Sequence, residues 1–202
     1  ELGGNSFYLS NDNLSPESLS EEDAADLQAM KDSLPELASN LVLYTPIDNI
    51  AKGVEEGAVI TGFSTIDLDG NTVDSSILSG AKLTVLNVWA TYCTPCVNEM
   101  PDLETLSQNY KDKGVQVVGL VADVFDDEEK KAEAKEILSA TGVTYVNLLP
   151  DTVLDDSLLY DITGTPTALF LDSEGKILKI VEGTRDLDAL TEMVDELLAA
   201  QE

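Results

Sequence analysis

The sequence predicts an α/β domain in which helices flank a mixed central sheet. Two continuous apolar runs, residues 83–90 and 115–122, have the composition of buried strands, and a segment with helical periodicity follows each of them. From residue 167 onward the pattern predicts a hairpin and a final helix. Strand, helix, strand, helix, hairpin and helix in this order are typical of a layered domain with parallel and antiparallel strands in one sheet.

The first part of the chain is expected to be an appendage to that domain. Residues 1–20 are rich in Ser, Asn, Asp and Gly, which predicts a flexible tether. Residues 16–39 predict a helix, because Ser15 can cap it and apolar residues recur at helical spacing. The sequence therefore predicts an acidic N-terminal extension over residues 1–57 and the α/β domain over residues 58–202.

Turn residues separate the predicted elements inside the domain. Residues 67–71 form a turn sequence between two short extended runs, which predicts an N-terminal hairpin. The helix after the first buried strand is indicated by Val97, Met100, Leu103, Leu106 and Tyr110. The later elements are a charged helix over 127–141 that Gly142 ends, an edge strand over 145–149, a hairpin of 167–171 and 177–181, and a helix over 187–198.

The charge of the chain argues against two classes of partner. The 202 residues include 11 Lys and Arg against 39 Asp and Glu, so the formal net charge is 11 − 39 = −28. Because binding to nucleic acid needs cations that displace counterions from phosphates, we expect no nucleic-acid partner and no binding to a bare anionic membrane. Hydrophobic residues make up 43% of the chain, which is enough for a folded core.

The chain contains no histidine. This absence excludes Ser-His and Cys-His nucleophile pairs, imidazole acid–base chemistry and histidine-ligated metal sites. Any chemistry is therefore expected to use thiols, carboxylates, hydroxyls or the backbone, and no cofactor is predicted.

Two cysteines, Cys93 and Cys96, are spaced C-x-x-C between a predicted buried strand and the start of a predicted helix. Free N–H groups and the helix dipole at such a position stabilise a thiolate on Cys93, while Cys96 lies one turn inside and would act as the resolving thiol. Two other interpretations stay open. One is a structural disulfide, although so short a loop removes little entropy from the unfolded chain, and the other is a metal site shared with a second chain.

The residues around the pair, WATYCTPCVNEMP over 89–101, carry a resemblance to a known family. They resemble the active-site segment of the thioredoxin superfamily, and in particular its extracytoplasmic TlpA/ResA-like thiol-disulfide oxidoreductases with an AhpC/TSA and redoxin-like domain. The similarity runs from about residue 58 to the C-terminus and includes GTPT over 164–167. It implies a thioredoxin-like fold with a strand and a helix inserted in the region of residues 115–150.

The resemblance also implies roles for single residues. Pro166 is similar to the family's cis-proline, which faces the C-x-x-C loop, and Thr165 would offer backbone groups to an extended substrate segment. Trp89 and Tyr92 are expected to contribute to substrate binding. Glu99 matches a glutamate of the family pattern, where burial would raise its pKa and let it take the proton of the resolving thiol.

Simpler interpretations of these residues stay open. One alternative is a trans Pro166 that only begins a strand. A separate alternative is that Glu99 is a solvated first-turn residue that the helix dipole favours. Asn87 stands where ordinary thioredoxins carry a buried acid, so that acid is missing from this chain.

The surroundings of the cysteines predict a reductant. Strong oxidants stabilise their thiolate through cationic neighbours, whereas Thr94 and Pro95 are neutral and Glu99 is acidic. The helix N-terminus acts in the opposite direction. The resemblance implies disulfide-bearing client proteins as substrates and a membrane thiol carrier as electron donor. It further implies a bacterial protein outside the cytoplasm, tethered by an anchor or a lipid. The chain begins without methionine, so we expect a processed or truncated product in which the absence of an export signal carries no information, and we expect a monomer.

Three other classes of function compete with this prediction. A peroxiredoxin-like peroxidase would have a threonine where Ala90 stands and an arginine near the thiol, whereas Arg185 is distant in sequence. A thioredoxin-fold metallochaperone would need a histidine and a wider cysteine spacing. A non-catalytic acidic binding module with a structural disulfide would use residues 126–129 and 155–156 for Ca²⁺ or basic partners, although acids at helix starts are commonly caps.

Overall fold

The computed structural model describes residues 54–201. A hairpin comes first, in which β1 (Ser64–Ile66) pairs antiparallel with β2 (Thr72–Asp74). The strands of the central sheet are β3 (Leu83–Trp89), β4 (Val115–Val121), β5 (Asn147–Leu148), β6 (Thr167–Asp172) and β7 (Ile177–Glu182). Their order is β5-β4-β3-β6-β7, with the first three parallel and the last two joining as an antiparallel hairpin. The sheet is therefore mixed, as predicted.

Within residues 54–201, four α-helices accompany the sheet. They are α1 (Thr94–Tyr110), α2 (Glu128–Thr141), α3 (Thr152–Ser157) and α4 (Leu187–Ala199). Gly142 ends α2 with a positive φ of 73°, which a glycine adopts without strain. None of the helices within residues 54–201 is long and apolar enough to cross a membrane.

The central strand β3 is buried along its whole length, with a separate core on each side. On one side Leu83 and Val85 pack against α1 and α4. On the other side Leu86 and Val88 pack with residues 60–78, which precede β3, and with α3. Since each fully buried Val or Leu side chain stabilises the fold by about 1.5–3 kcal/mol, the two cores fix β3 and whatever follows it.

Most of the predicted elements are confirmed, with local differences. The edge strand is shorter than expected, at two residues. The inserted strand and helix begin later than residue 115. The strand that starts there, β4, lies inside the sheet next to β3, and the inserted elements are α2 and β5, which follow β4 in the chain. The short helix α3 and the 3₁₀ helix Ser75–Gly80 were not predicted, because neither is long enough to show a periodic pattern. The predicted helix over 16–39 lies outside the described residues.

Candidate active site

The C-x-x-C pair lies where β3 leads into α1. A tight turn follows Trp89, in which the Cys93 N–H donates to the Ala90 carbonyl (3.0 Å). Cys93 is the N-cap residue of α1, and Pro95 stands in the first turn, where a backbone N–H is not needed. The buried strand thus delivers Cys93 to the N-terminus of the helix.

Cys93 and Cys96 form a disulfide with an S–S distance of 2.03 Å. The Sγ of Cys93 also accepts a hydrogen bond from the Cys96 N–H (3.2 Å), one of the groups that the first helical turn leaves free. The exposed fraction is 5% for Cys93 and 0% for Cys96. A partner sulfur can therefore reach the pair only from the Cys93 side.

The Thr165–Pro166 peptide bond is cis, as the resemblance implied. Pro166 is buried directly before β6, and the pairing of Val88 with Thr167 brings it to the end of the sheet from which the cysteine turn leaves. Its carbonyl accepts from the Gly183 N–H (2.8 Å), which attaches this segment to the end of β7. Thr165 precedes the first residue of β6, so its backbone groups lie outside the strand ladder.

Trp89 is a core residue, and the expectation that it contacts a substrate is wrong for this structure. Its side chain is fully buried and its indole N–H donates to Asn147 Oδ1 (2.9 Å). Gly119 makes room for this pair, because a Cβ atom there would lie 1.9 Å from Asn147 Oδ1. The buried strand extends through Trp89, and a buried indole N–H needs an acceptor.

Tyr92 is the exposed aromatic residue next to the disulfide, with 76% of its surface accessible. The Lys130 ammonium lies 6.0 Å from its ring centre and 2.5 Å from Asp123 Oδ2. Asp123 also accepts from the N–H (2.9 Å) and the hydroxyl (2.7 Å) of Thr91. Burial acts to raise the pKa of Asp123, but the hydrogen bonds from Lys130 and Thr91 outweigh it and hold the pKa below its usual value. Asp123 is thus a charged anchor for the turn that carries Tyr92.

Glu99 is buried one turn beyond Cys96 on α1, with an exposed fraction of 6%. Its Oε1 accepts a hydrogen bond from the backbone N–H of Arg185 (2.7 Å). Burial raises the pKa of Glu99, while the Arg185 N–H and guanidinium oppose the rise and Asp102 adds to it. The buried position excludes the solvated first-turn residue that the sequence left open. Glu99 can therefore exchange a proton at a higher pH than an ordinary glutamate.

Sequence reasoning missed four residues of this neighbourhood, namely Asp123, Lys130, Asn147 and Arg185. Three of them lie far along the chain from the residue that they contact, by 86 positions for Arg185 and Glu99, whereas Lys130 lies 7 positions from Asp123. The contact between Trp89 and Asn147 could have been suspected from two features of the sequence. Asn147 is a polar residue inside an apolar edge strand, and Gly119 is a glycine inside a buried strand, which often marks a close approach of another group.

The alternative functions receive no support from the acidic clusters or from Arg185. Asp127 is occupied as the N-cap of α2, where it accepts from the Glu129 and Lys130 N–H groups. The part of the chain that the structure describes contains no group of three His, Cys, Asp or Glu residues that could hold a metal ion. The Arg185 guanidinium donates to the Gly183 and Thr184 carbonyls.

Known proteins share both the sequence pattern and the fold. The redoxin family model matches residues 47–197. The thiol-disulfide oxidoreductase ResA of Bacillus subtilis (strain 168) is 30% identical over 150 residues, which are 73% of this chain and 78% of that protein. The ResA of Oceanobacillus iheyensis is 32% identical over 151 residues, which are 67% of either chain.

Two solved structures superpose on most of the chain. A thiol:disulfide interchange protein of the thioredoxin family from Chlorobium tepidum TLS has a TM-score of 0.61 at 24% identity, covering 72% of this chain and 99% of that one. The thioredoxin domain of a thiol-disulfide oxidoreductase from Bacteroides vulgatus has a TM-score of 0.58 at 26% identity, with the same coverage.

A thioredoxin-like fold that presents a C-x-x-C disulfide at a helix N-terminus defines a thiol-disulfide oxidoreductase, an enzyme whose substrates carry disulfides. The chain belongs to the redoxin family and, within it, to the ResA-like thiol-disulfide oxidoreductases.

Proposed function

We propose that this enzyme is a reductant, whose dithiol form reduces disulfide bonds of exported client proteins. The observation that carries thiol–disulfide exchange is the unequal burial of the pair, since Cys93 is 5% exposed at the N-cap of α1 and Cys96 is fully buried. Such a pair offers one sulfur to a partner and keeps the second for the intramolecular step. The direction of electron flow is supported by a separate observation, the engagement of Lys130 and Arg185 by other groups.

In the first step the Cys93 thiolate attacks one sulfur of the client disulfide. Free N–H groups at the helix N-terminus favour the thiolate, and the Cys96 N–H already points at this sulfur. A bond forms between Cys93 and the client, and the second client sulfur leaves as a thiolate that takes a proton from solvent.

In the second step Cys96 loses its proton and attacks the Sγ of Cys93. The bond between Cys93 and the client breaks, so the client gains two electrons and the enzyme returns to its disulfide form. Glu99 takes the proton of Cys96, because it is buried one turn away and its pKa is raised by that burial.

The client segment binds in an extended form beside Pro166. Thr165 supplies backbone groups outside the ladder of β6, which suits the addition of a short strand. The exposed ring of Tyr92 supplies apolar contact on the other side of the disulfide. Trp89 supports this surface from the core rather than contacting the client.

The direction of electron flow follows from the charges around Cys93. A strong oxidant needs cations that stabilise its thiolate. Two cations that the fold brings towards the site are engaged elsewhere, since Lys130 pairs with Asp123 and the Arg185 guanidinium binds backbone carbonyls. The helix N-terminus is then left as the group that favours the Cys93 thiolate, without the added cation that a strong oxidant uses, and this supports the dithiol form as an electron donor.

Single cysteine variants test the assignment of the two thiols. Cys96→Ser should accumulate a mixed disulfide between Cys93 and a client, whereas Cys93→Ser should lose exchange altogether. Equal trapping by both variants, measured by mass spectrometry, would contradict the division of roles between Cys93 and Cys96.

A redox titration tests the direction of electron flow. A reversible two-electron transition near or below about −270 mV supports a reductant, and one near about −120 mV keeps the enzyme class but reverses the flow. The absence of a reversible transition would point to a structural disulfide.

We also propose that the protein acts as a monomer outside the cytoplasm of a bacterium, receives electrons from a membrane thiol carrier, and is tethered through an anchor or a lipid ahead of residues 1–57. The chain has two cysteines, and both are in the disulfide, which suits an oxidising compartment because a spare thiol would pair wrongly there. After mild reduction of intact cells, a membrane-impermeant thiol reagent should label Cys93. Labelling only after lysis would place the protein in the cytoplasm.

A further inference from the structure

A groove opens at the ends of β4 and β5, on the side of the active-site turn that is remote from Pro166. Its volume is about 340 Å³, and it is lined by β1, by the residues that follow β4 and by the residues that follow β5. The strands β3, β4 and β5 are parallel, so their C-terminal ends meet at one end of the sheet. Because Cys93 follows β3, this groove, which we call the β5 groove, lies at the same end of the sheet as the disulfide.

The floor of the β5 groove belongs to the packed cluster that contains the cysteines. Leu149 lines the groove and is buried in one hydrophobic cluster with Cys93 and Cys96. Val124 is in the same cluster and directly precedes Phe125, another lining residue. Since β5 lies two strand spacings from β3, which is about 10 Å, an extended client segment bound at Cys93 reaches the groove with about three to five residues.

Hydrogen bonds hold the two walls of the groove together. The Leu149 N–H donates to the Ile66 carbonyl (2.9 Å), and the Thr65 hydroxyl donates to the Leu149 carbonyl (2.6 Å). Asp151, the N-cap of α3, also accepts from the Ser64 N–H (2.8 Å). These bonds join β1 to the residues after β5. The groove is therefore formed without a partner, which lowers the cost of binding one.

Two large apolar side chains of the groove are exposed to solvent. The exposed fraction is 48% for Phe125 and 41% for Ile66, and both residues line the groove together with Leu149 and Pro150. Scattered exposed apolar residues are ordinary, but exposed apolar residues that share a concave surface with a polar rim are typical of interaction sites. The groove thus suits an aliphatic or aromatic side chain of a partner.

The rim of the groove is acidic. Asp126, Asp151 and Asp155 line it, and its described lining includes no Lys or Arg. Neither Asp126 nor Asp155 forms a salt bridge with another residue of the range 54–201. No group of three acids in that range is arranged to hold a metal ion, so the cation that complements this rim is a basic side chain. A second copy of the chain would be repelled, because its net charge is also −28.

We propose that the β5 groove is a client-binding subsite, which takes an apolar client side chain on Ile66 and Phe125 and a neighbouring lysine or arginine at Asp126 and Asp155. The inference rests on the proposed function and names the class of client, an extended segment with an apolar and a basic residue about three to five positions from its cysteine. Backbone contacts beside Pro166 hold the cysteine of any client, whereas the groove selects among clients by their side chains.

Model peptides test the chemistry of the subsite with the full chain in its dithiol form. Each peptide has one cysteine in a disulfide with 2-nitro-5-thiobenzoate, whose release is measured by absorbance at limiting peptide. A pair of test residues, Leu-Lys, Leu-Glu, Ser-Lys or Ser-Glu, is placed at successive positions on either side of the cysteine. At the best position we expect the Leu-Lys peptide to react about tenfold faster than the Ser-Lys peptide. It should react about threefold faster than the Leu-Glu peptide, and added salt should reduce that second ratio.

Variants of the groove locate these preferences. Phe125→Ser should lower the ratio of Leu-Lys to Ser-Lys rates from about tenfold to about threefold, because Ile66 remains. Tyr160→Ser is the matched control, since Tyr160 is an aromatic residue with an exposed fraction of 86% outside the groove. Each ratio compares two peptides on one protein, so a general change in the reactivity of Cys93 cancels.

A double variant tests the acidic rim. Asp126→Asn combined with Asp155→Asn should bring the ratio of Leu-Lys to Leu-Glu rates to about one. Asp112→Asn combined with Glu192→Gln is the control, because it removes two exposed acids that do not line the groove. A preference for Lys that the Asp126 and Asp155 double variant retains would come from the charge of the whole chain and would overturn the role of the rim.

The outcomes separate the inference from the proposal beneath it. A Leu-Lys preference that the groove variants reduce and both controls keep supports the subsite. Equal rates for the four peptides at every position, or a Leu preference unchanged in Phe125→Ser, would overturn the subsite and leave the proposed function intact. If the wild-type dithiol releases the coloured thiol from none of the peptides, the proposed function fails, and the inference fails with it.

Discussion

Asp123 and Glu99 are two carboxyl groups close to the C-x-x-C turn, and their surroundings shift their pKa values in opposite directions. Asp123 accepts from the ammonium of Lys130 and from two groups of Thr91, and its pKa is lowered although burial opposes this. Glu99 is more deeply buried and accepts one hydrogen bond within residues 54–201, from the Arg185 backbone, and its pKa is raised.

The difference teaches that the depth of burial and the number and charge of the donors together decide whether the pKa of a carboxyl group in this protein is raised or lowered. Three hydrogen bonds, one of them from a cation, compensate Asp123 for lost hydration, whereas one neutral donor does not compensate Glu99. Asp123 therefore stays charged and holds the turn, and Glu99 is able to change its protonation state during the reaction.

The largest expected effect is a difference between Glu99 and Asp123 in their contribution to the rate of the resolving step. Glu99→Gln keeps the acceptor for the Arg185 N–H but takes up no proton, so the resolving step should slow by about a hundredfold. Asp123→Asn should change the same rate by less than about threefold, because the group only supports the turn. Stopped-flow measurements of both variants check this, and equal losses would remove the distinction.

A second effect concerns Gly119 on β4, which makes room for the contact between Asn147 and Trp89. Gly119→Ala would place a Cβ atom 1.9 Å from Asn147 Oδ1 and so break the contact that anchors Trp89. We expect a loss of about 2–3 kcal/mol in the free energy of unfolding, measured in urea. Gly80→Ala is the matched control, because no atom lies within 4 Å of its new methyl group. A similar change in both variants would show that the close contact is not responsible.

A third effect is the pH dependence of stability, which should have opposite sign for the two acids. A lowered pKa stabilises the fold at pH values above the pKa of the unfolded chain, and this stabilisation is lost as the pH falls through the pKa of the folded state. Asp123→Asn should therefore lower the free energy of unfolding by about 1 kcal/mol at neutral pH and by less in acid. A raised pKa destabilises the fold as the pH rises through the folded value, so Glu99→Gln should be neutral or stabilising at pH 7 and lose that advantage in acid. Urea unfolding between about pH 3 and 8 checks both signs.

The smallest effect tests the cause of the lowered pKa of Asp123. Lys130→Gln removes its cationic partner, so the Asp123 pKa should move up towards the usual value in a carboxyl NMR titration. Lys131→Gln is the control, because Lys131 pairs with Glu128 instead. An unmoved pKa in Lys130→Gln would assign the shift to Thr91 alone.

The parts of the molecule that the sequence predicts are those that depend on local pattern. Buried strands such as β3 are continuous apolar runs, and the placement of Cys93 between strand and helix is visible from spacing alone. The sequence left open whether Glu99 is buried or solvated; the structure buries it, because an acid one turn after Cys96 falls on the inner face of α1.

The rest depends on contacts between distant positions. Trp89 was expected to contribute to substrate binding, but its environment is decided by Asn147 and by the missing side chain of Gly119. The charged state of Asp123 depends on Lys130 and Thr91, which no local pattern connects. A short helix such as α3 is stabilised by its cap and by packing, and six residues carry no period to detect.

The hydrogen bond from Arg185 to Glu99 joins an early helix to the segment that leads into the last one. During synthesis, the thiols and their helix emerge long before this donor does. Glu99 therefore gains its hydrogen-bond donor only when the segment before α4 is in place, so the surroundings of a buried acid on α1 are completed by the last part of the described chain.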